Sequence, residues 1–169
     1  KFGSFSGLKM CFIGDGNNMA NSLIVGGLKV GMNVAVATPD GYKPDGAVLE
    51  FTKGCGDKFA LETDPFMAAS GADILITDTW TSMGEEAEKE ERKKIFKDYQ
   101  INRQLLAAAN AGAMVQHCLP AYRGQEITEE VFEEHADEIF NEAENRLHAQ
   151  KALLTWLAGK ARGDESLLA

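Results

Sequence analysis

Three clusters of polar residues each follow a short apolar stretch of the chain. Residues 14–18 are Gly-Asp-Gly-Asn-Asn, residues 78–84 are Asp-Thr-Trp-Thr-Ser-Met-Gly, and residues 117–120 are His-Cys-Leu-Pro. Amides beside the free N–H groups of a helix start can hold a carboxylate, and a carboxylate beside a hydroxyl suits an ammonium group. The three clusters are therefore candidates for one binding site for a small charged molecule.

The first cluster allows other interpretations. A glycine pair after a strand begins the dinucleotide-binding fingerprint, but Met19 occupies the position of its third glycine. Thr38 stands where an acid should close the second strand, although Asp40 is close by. The pattern therefore disfavours NAD. The short polar side chains of Asn17 and Asn18 also suit helix capping, which is compatible with ligand binding.

The second and third clusters also have purely structural interpretations. Asp78 and Ser82 can satisfy the backbone of their own loop, and Cys118 can be a small buried apolar residue. Neighbouring strand residues face opposite ways, so His117 and Cys118 do not form a nucleophile–base pair unless the loop bends sharply.

A fourth candidate lies near the end of the chain, where residues 142–146 are Glu-Ala-Glu-Asn-Arg. Arg146 can contact a planar anion or a carbonyl oxygen through two donors, or it can form a surface ion pair with Glu142. The charged run at 85–94 is interpreted as a solvated helix face and is assigned no chemistry.

Short apolar runs alternate with helical patterns along the chain. The predicted strands are 9–13, 33–37, 58–61, 74–77, 114–117 and 138–140. The predicted helices are 18–30, 45–53, 65–70, 86–96, 102–110, 129–135 and 142–158. This alternation predicts an α/β fold with a doubly wound, mostly parallel sheet flanked by helices, similar to a Rossmann fold. Ligands of such sheets bind at the carboxyl ends of the strands, where the clusters lie.

Composition narrows the class of protein. The 169 residues fit a single domain, with a net charge of −9 and no basic stripe that would attract nucleic acid or a membrane surface. We expect 1–7 to be a linker remnant, 8–158 the domain and 159–169 a tail. Three cysteines without CxxC spacing indicate reduced thiols, a cytoplasmic protein and no structural metal. No cofactor is predicted.

Taken together in this order and spacing, the four motifs at 14–18, 78–84, 117–120 and 142–146 resemble the ornithine carbamoyltransferase family. The resemblance covers the chain from residue 1 to about 157. The Ser-Met-Gly segment is similar to the loop that distinguishes ornithine enzymes from relatives that use aspartate or putrescine. The resemblance implies the C-terminal, L-ornithine-binding domain of an enzyme that makes citrulline and phosphate from ornithine and carbamoyl phosphate. The alternatives are a related carbamoyltransferase domain for putrescine or acylated ornithine, and a non-catalytic Rossmann-like module that binds a nucleotide or an amino acid.

The same resemblance implies a role for each motif. It implies that Asn18 and the backbone of Met83 hold the α-carboxylate of ornithine, and that Asp78 and Ser82 hold its α-ammonium group. The catalytic candidates are Asp78, Cys118 and Arg146.

Cys118 would lie against the δ-amine of the substrate. The carbonyl of Leu119 and the side chain of Arg146 would contact the carbamoyl group, while His117 and Pro120 shape that turn.

The chain departs from the family pattern in one respect. It has no Ser-Thr-Arg-Thr and no His-Pro-x-Gln segment, the family motifs for carbamoyl phosphate. We therefore expect carbamoyl phosphate to be bound by a missing N-terminal domain, and this chain to be inactive alone. The family implies a homotrimer or a larger assembly. The broad apolar surface of the last predicted helix indicates that the chain by itself self-associates.

Overall fold

Five parallel strands form the centre of the structure, a computed structural model that describes residues 1–81 and 88–163. In chain order they are β1 (Lys9–Ile13), β2 (Asn33–Ala37), β3 (Phe59–Glu62), β4 (Ile74–Thr77) and β5 (Met114–His117). Their order in the sheet is β3-β2-β1-β4-β5, and every neighbouring pair is parallel. The predicted α/β fold with a doubly wound sheet is confirmed.

Seven α-helices accompany the strands in the described part of the chain. They are α1 (Asn18–Lys29), α2 (Gly46–Thr52), α3 (Pro65–Ala69), α4 (Lys89–Phe96), α5 (Arg103–Ala108), α6 (Glu129–Glu134) and α7 (Ala136–Arg162), with short 3-10 segments at Lys53–Lys58 and Lys97–Tyr99. Polar side chains cap the N-terminal ends of several of these helices. At α3, for example, the Asp64 carboxylate accepts the N–H of Phe66 at 2.8 Å. Such caps satisfy N–H groups that have no partner inside the helix.

Both faces of the central strands β1, β2 and β4 are largely buried, which explains why these strands are short apolar runs. Cys11, Ile13 and Leu75 point to the face covered by α3, α5 and α7. Phe12 and Ile76, which alternate with them, point to the face covered by α1. The helical connections on one side of β1 cover one face of the sheet, and those on its other side cover the opposite face. The carboxyl ends of β1 and β4 therefore flank the crevice where ligands of such folds bind.

The predicted strand at 138–140 is wrong, because these residues lie in the first turns of α7. Only Ile139 is buried there, so the segment has no two-sided apolar pattern to stabilise a strand. Glu138 instead accepts the backbone N–H of Val115 at 3.0 Å, covering the outer edge of β5 with a side chain. A sixth strand would have had to occupy that edge.

The charged run at 85–94 is not wholly a solvated helix face. Residues 82–87 lie outside the described residues, and with them the predicted start of a helix at 86. In α4, Arg92 is 4% exposed and its guanidinium is packed between Tyr42 and Phe96, with Cζ 5.0 and 5.3 Å from the ring centroids. One arginine of this run is therefore part of the core.

The last helix extends well beyond the core. Its distal half carries large apolar side chains that are 44–67% exposed: Leu147, Leu153, Leu154, Trp156 and Leu157. Even so, a search of the described ranges finds no helix with the length and hydropathy needed to cross a membrane.

Candidate active site

Asp78 is the central residue of the candidate site, immediately after β4. One carboxylate oxygen, Oδ2, accepts the side-chain amide N–H of Asn17 at 3.2 Å. The other, Oδ1, accepts the backbone N–H of Thr79 at 2.8 Å and the thiol of Cys118 at 3.2 Å. Side chains from all three loops thus meet at one carboxylate, at the carboxyl edge of β1, β4 and β5.

Asn17 joins the start of α1 to this site. Its Oδ1 accepts the N–H groups of Met19 and Ala20 at 2.9 and 3.2 Å, while its Nδ2 donates to Asp78. Asn18, the residue chosen from the sequence, is exposed at the same helix start. The capping interpretation therefore holds for Asn17, which also contacts the site carboxylate, although the predicted site residues included Asn18 and not Asn17.

Gly16 is required by packing. A Cβ on this residue would lie 2.4 Å from the backbone carbon of Lys43 and the nitrogen of Pro44, closer than atoms can approach. Its N–H donates to the Tyr42 carbonyl at 2.9 Å. The second glycine of this loop thus lets the chain pass against residues 42–44, which accounts for it without a dinucleotide.

His117 is fully buried, and both of its ring nitrogens are engaged. Nδ1 accepts the backbone N–H of Leu119 at 3.0 Å, so the imidazole proton must lie on Nε2, which donates to Glu126 Oε1 at 3.1 Å. The same oxygen accepts the N–H of Tyr122 at 2.5 Å. His117 therefore shapes the turn and is not available as a base for Cys118.

Leu119 has a left-handed backbone, with φ of 57°, and the Leu119–Pro120 peptide bond is cis. The left-handed backbone is unfavourable for a leucine and is retained only where surrounding contacts enforce it. The bond from the Leu119 N–H to the His117 ring is such a contact. Sequence reasoning missed Glu126, which fixes that ring and is itself fully buried.

Burial raises the pKa of the Cys118 thiol to about 12, and the charge and hydrogen bond of Asp78 add to the effect. The thiol is thus neutral near pH 7 and donates to Asp78. This state suits a contact with a substrate amine better than nucleophilic attack, which needs the thiolate.

We expect iodoacetamide to alkylate Cys118 very slowly at pH 8, because a pKa near 12 leaves only about one thiol in ten thousand ionised. Asp78→Asn should accelerate alkylation, since removing the carboxylate charge lowers the pKa while burial still raises it. Peptide mass spectrometry measures the rate, with Cys55 as the internal reference. An unchanged rate in Asp78→Asn would show that the Asp78 charge does not control this thiol.

Glu142 lies behind His117, on α7. Burial raises the pKa of its carboxyl group; the charge of Asp78 adds to this effect, and a hydrogen bond from the His117 backbone opposes it. Its Oε2 has no hydrogen-bond partner among the described residues. The motif at 142–146 thus contributes a half-buried acid that the sequence analysis did not assign to the site.

Arg146 follows one helical turn later and is exposed. Within residues 1–81 and 88–163 it forms no ion pair with Glu142, so the surface ion pair considered from the sequence is not present there. The neighbouring Glu144 lies 3.4 Å from His148. Arg146 also forms no hydrogen bond or ion pair with Asp78 or Cys118 in that part of the chain. Ser82 and Met83, the other predicted site residues, lie outside the described residues.

Asp78, His117 and Cys118 place their donor atoms within 4.8 Å of one another, a spacing that a metal ion could bridge. The hydrogen bonds argue against this use. His117 would have to release Leu119 or Glu126, and Cys118 would have to lose a proton that its surroundings retain. These residues are better suited to hydrogen bonding with an organic ligand.

The fold and the site define a parallel α/β domain with its polar groups at the switch point of the sheet. The family model "Aspartate/ornithine carbamoyltransferase, Asp/Orn binding domain" matches residues 6–157. The chain therefore belongs to the aspartate/ornithine carbamoyltransferase family, through its Asp/Orn binding domain, and the resemblance seen in the motifs is confirmed.

Ornithine carbamoyltransferases are among its relatives. The one from Gloeobacter violaceus is 55% identical over 162 residues, covering 94% of this chain and 52% of that protein. The one from Mycobacterium ulcerans is 51% identical over 165 residues, covering 95% and 54%. The solved ornithine carbamoyltransferase of Pyrococcus furiosus has a TM-score of 0.83 and 46% identity, covering 90% of this chain and 50% of that one. The chain spans about half the length of these relatives.

Proposed function

We propose that this chain is the L-ornithine-binding half of an ornithine carbamoyltransferase. The observation that carries the proposal is the meeting of Asn17, Asp78 and Cys118 at one carboxylate, in a chain whose relatives bear that name. A carboxylate has about four acceptor positions, and the three hydrogen bonds that the described residues make to Asp78 leave one of these for a substrate ammonium group.

The proposed substrate lies across the crevice between the first two loops. Its α-ammonium group contacts Asp78 and Ser82, and its α-carboxylate contacts the exposed Asn18 and the backbone of Met83. The N-terminal end of α1 favours a negative charge at this position. The side chain of ornithine then points toward the third loop.

In the proposed reaction, the neutral δ-amine of ornithine attacks the carbonyl carbon of carbamoyl phosphate. A carbon–nitrogen bond forms, the carbon–oxygen bond to phosphate breaks, and the proton that the nitrogen loses is taken up by the departing phosphate. Leu119 contributes a backbone carbonyl to orient the carbamoyl group. Arg146 stabilises the negative charge that develops on the carbonyl oxygen. For Arg146 this requires a closer approach than in the described structure, where it is exposed.

The δ-amine must lose its proton before it attacks, because an unshifted alkyl ammonium titrates near pH 10.4. The half-buried surroundings of Cys118 disfavour a charged amine there, as burial already does for the thiol. We infer that desolvation in this region favours the neutral amine, or that a group near Cys118 and Asp78 accepts its proton.

The chain alone should form no measurable citrulline, because the family's carbamoyl phosphate motifs are absent from it. The longer enzyme that we infer should form citrulline from L-ornithine and carbamoyl phosphate. Citrulline formation by the 169-residue chain and by the longer enzyme is measured with both substrates present and with each substrate omitted in turn. Turnover by the 169-residue chain that is lost in Cys118→Ala would show that this half is sufficient.

A substrate panel tests the specificity. The longer enzyme should prefer L-ornithine to putrescine and N-acetylornithine, because Asp78 and Asn18 match a free α-ammonium and α-carboxylate, which neither compound has together. It should also prefer L-ornithine to L-aspartate, because the Ser-Met-Gly segment is similar to the loop of ornithine enzymes. A preference for putrescine or for an acylated ornithine would assign the chain to a different carbamoyltransferase.

We also infer a cytoplasmic role in arginine metabolism, of which citrulline is an intermediate. All three cysteines are free thiols, as expected in a reducing compartment. By analogy with the family, we propose that the longer enzyme forms a homotrimer or a larger assembly, through the half that this chain lacks.

Self-association of the 169-residue chain is expected through the exposed apolar residues of α7, since so large an apolar surface is unfavourable in water. Sedimentation of the intact chain and of a chain truncated after Leu147 tests this. The intact chain should sediment as a larger species and the truncated chain as a smaller one. Monomers in both cases, with α7 fully protected from hydrogen exchange, would show that the helix packs within its own domain.

A further inference from the structure

We propose that Arg92 is a positioning residue that fixes the spacing between the loops after β1 and β4, and so the ornithine site between them. The inference rests on the proposed function and deepens it. Arg92 lies behind the site, within α4.

The contacts of Arg92 reach both loops. Its Nε donates to the backbone carbonyl of Trp80, and a terminal nitrogen donates to the carboxylate of Asp15. Trp80 is two residues after Asp78, and Asp15 is two residues before Asn17. One guanidinium thus joins the two segments from which the proposed contacts to the α-ammonium and α-carboxylate groups come.

This connection adds to a first one between the described residues of the two loops. The first is the hydrogen bond from Asn17 to Asp78, which lies at the site itself. Because β1 and β4 are neighbouring parallel strands, the loops leave the same edge of the sheet side by side. With contacts at two points, neither loop can rotate about the other, and the distance between Asn18 and Asp78 is held.

The surroundings of Arg92 keep its guanidinium in place. The aromatic faces of Tyr42 and Phe96 lie on it, and the ring of Trp80 stacks on Phe96 with centroids 6.1 Å apart. A charge this deeply buried is unfavourable unless it is paired, and the Asp15 side chain that pairs with it is itself only 16% exposed.

A lysine cannot replace this arrangement. An arginine presents Nε and its terminal nitrogens along different directions of one rigid plane, whereas an ammonium group is a point charge on a flexible stem. The neighbouring Lys93 instead forms a local ion pair with Glu90 at 2.8 Å, and its side chain is 35% exposed. It therefore serves as the matched control.

The test compares Arg92→Lys and Asp15→Asn with Lys93→Gln in the longer enzyme. Arg92→Lys keeps the positive charge, and Asp15→Asn weakens only the contact between Arg92 and the loop after β1. Thermal unfolding checks that each variant is folded. We expect the KM for ornithine to rise about tenfold or more in Arg92→Lys, and less in Asp15→Asn, because a small displacement of binding groups is costly. The KM for carbamoyl phosphate should change less than about threefold, and Lys93→Gln should change neither.

Hydrogen exchange of the 169-residue chain provides a readout that does not depend on turnover. In Arg92→Lys, exchange should accelerate in both 14–18 and 78–81 and stay unchanged in β2. An unchanged ornithine KM in a folded, active Arg92→Lys enzyme, or unchanged exchange in either loop, would overturn the positioning role. Absence of citrulline formation by the wild-type longer enzyme would instead overturn the proposed function, and hydrogen exchange would still decide whether Arg92 joins the loops.

Discussion

Replacing Asp78 by alanine is expected to weaken L-ornithine binding to the longer enzyme by about 10- to 150-fold, since a hydrogen bond to a charged group contributes about 1.5–3 kcal/mol. Carbamoyl phosphate binding should change far less. The reason is geometric: Asp78 is the carboxylate at which the three loops meet, and the hydrogen bonds from described residues leave it one acceptor position for an ammonium group. The KM for each substrate, measured with the other saturating, provides the comparison.

Two further variants separate binding from loop stability. Asp78→Asn keeps the acceptor for the Thr79 N–H but loses the charge, so it should lose most of the affinity while the loop keeps its shape. Asp40→Ala removes an acid whose side chain is 85% exposed and should have no effect. Equal losses for both substrates in Asp78→Ala, or a change in ornithine affinity below about threefold, would show that Asp78 serves mainly its own loop.

The second large effect concerns stability. His117→Ala should lower the free energy of unfolding by about 3–5 kcal/mol, because it leaves a cavity and removes a donor from the buried Glu126 carboxylate. His148→Ala, which removes an exposed histidine 3.4 Å from Glu144, should cost less than about 1 kcal/mol. Urea unfolding of the 169-residue chain measures both. Similar small losses in the two variants would mean that the His117–Glu126 contact contributes little.

The sequence predicted the sheet well, because strands buried on both faces must be short apolar runs. The predicted range 9–13 is the observed β1, and 74–77 is the observed β4. The segment at 138–140 failed because two adjacent apolar residues, Ile139 and Phe140, can begin a helix as readily as a strand. Its outcome depended on the contact from Glu138 to β5, which no local pattern reveals.

The site was predictable where a motif joined chemistry to a strand end, as for Asp78 and Cys118. It was not predictable where a residue acts from a distance along the chain. Arg92 looked like one of many charges in a solvated run, and Glu126 lay outside every motif. Tertiary packing determines which residue of a charged run is buried. Only the structure could therefore show that Arg92 is buried while Lys93 is partly exposed.

The double use of the Asn17 amide limits how this protein can change. Its oxygen caps the start of α1 and its nitrogen donates to the Asp78 carboxylate, so one side chain serves both the helix and the site. Aspartate or serine would retain the helix cap, but aspartate would set two negative charges together and serine would be too short to serve both ends. A substitution that makes this helix start more resistant to heat would therefore also alter ligand recognition. Natural variation at position 17 should accordingly be narrow.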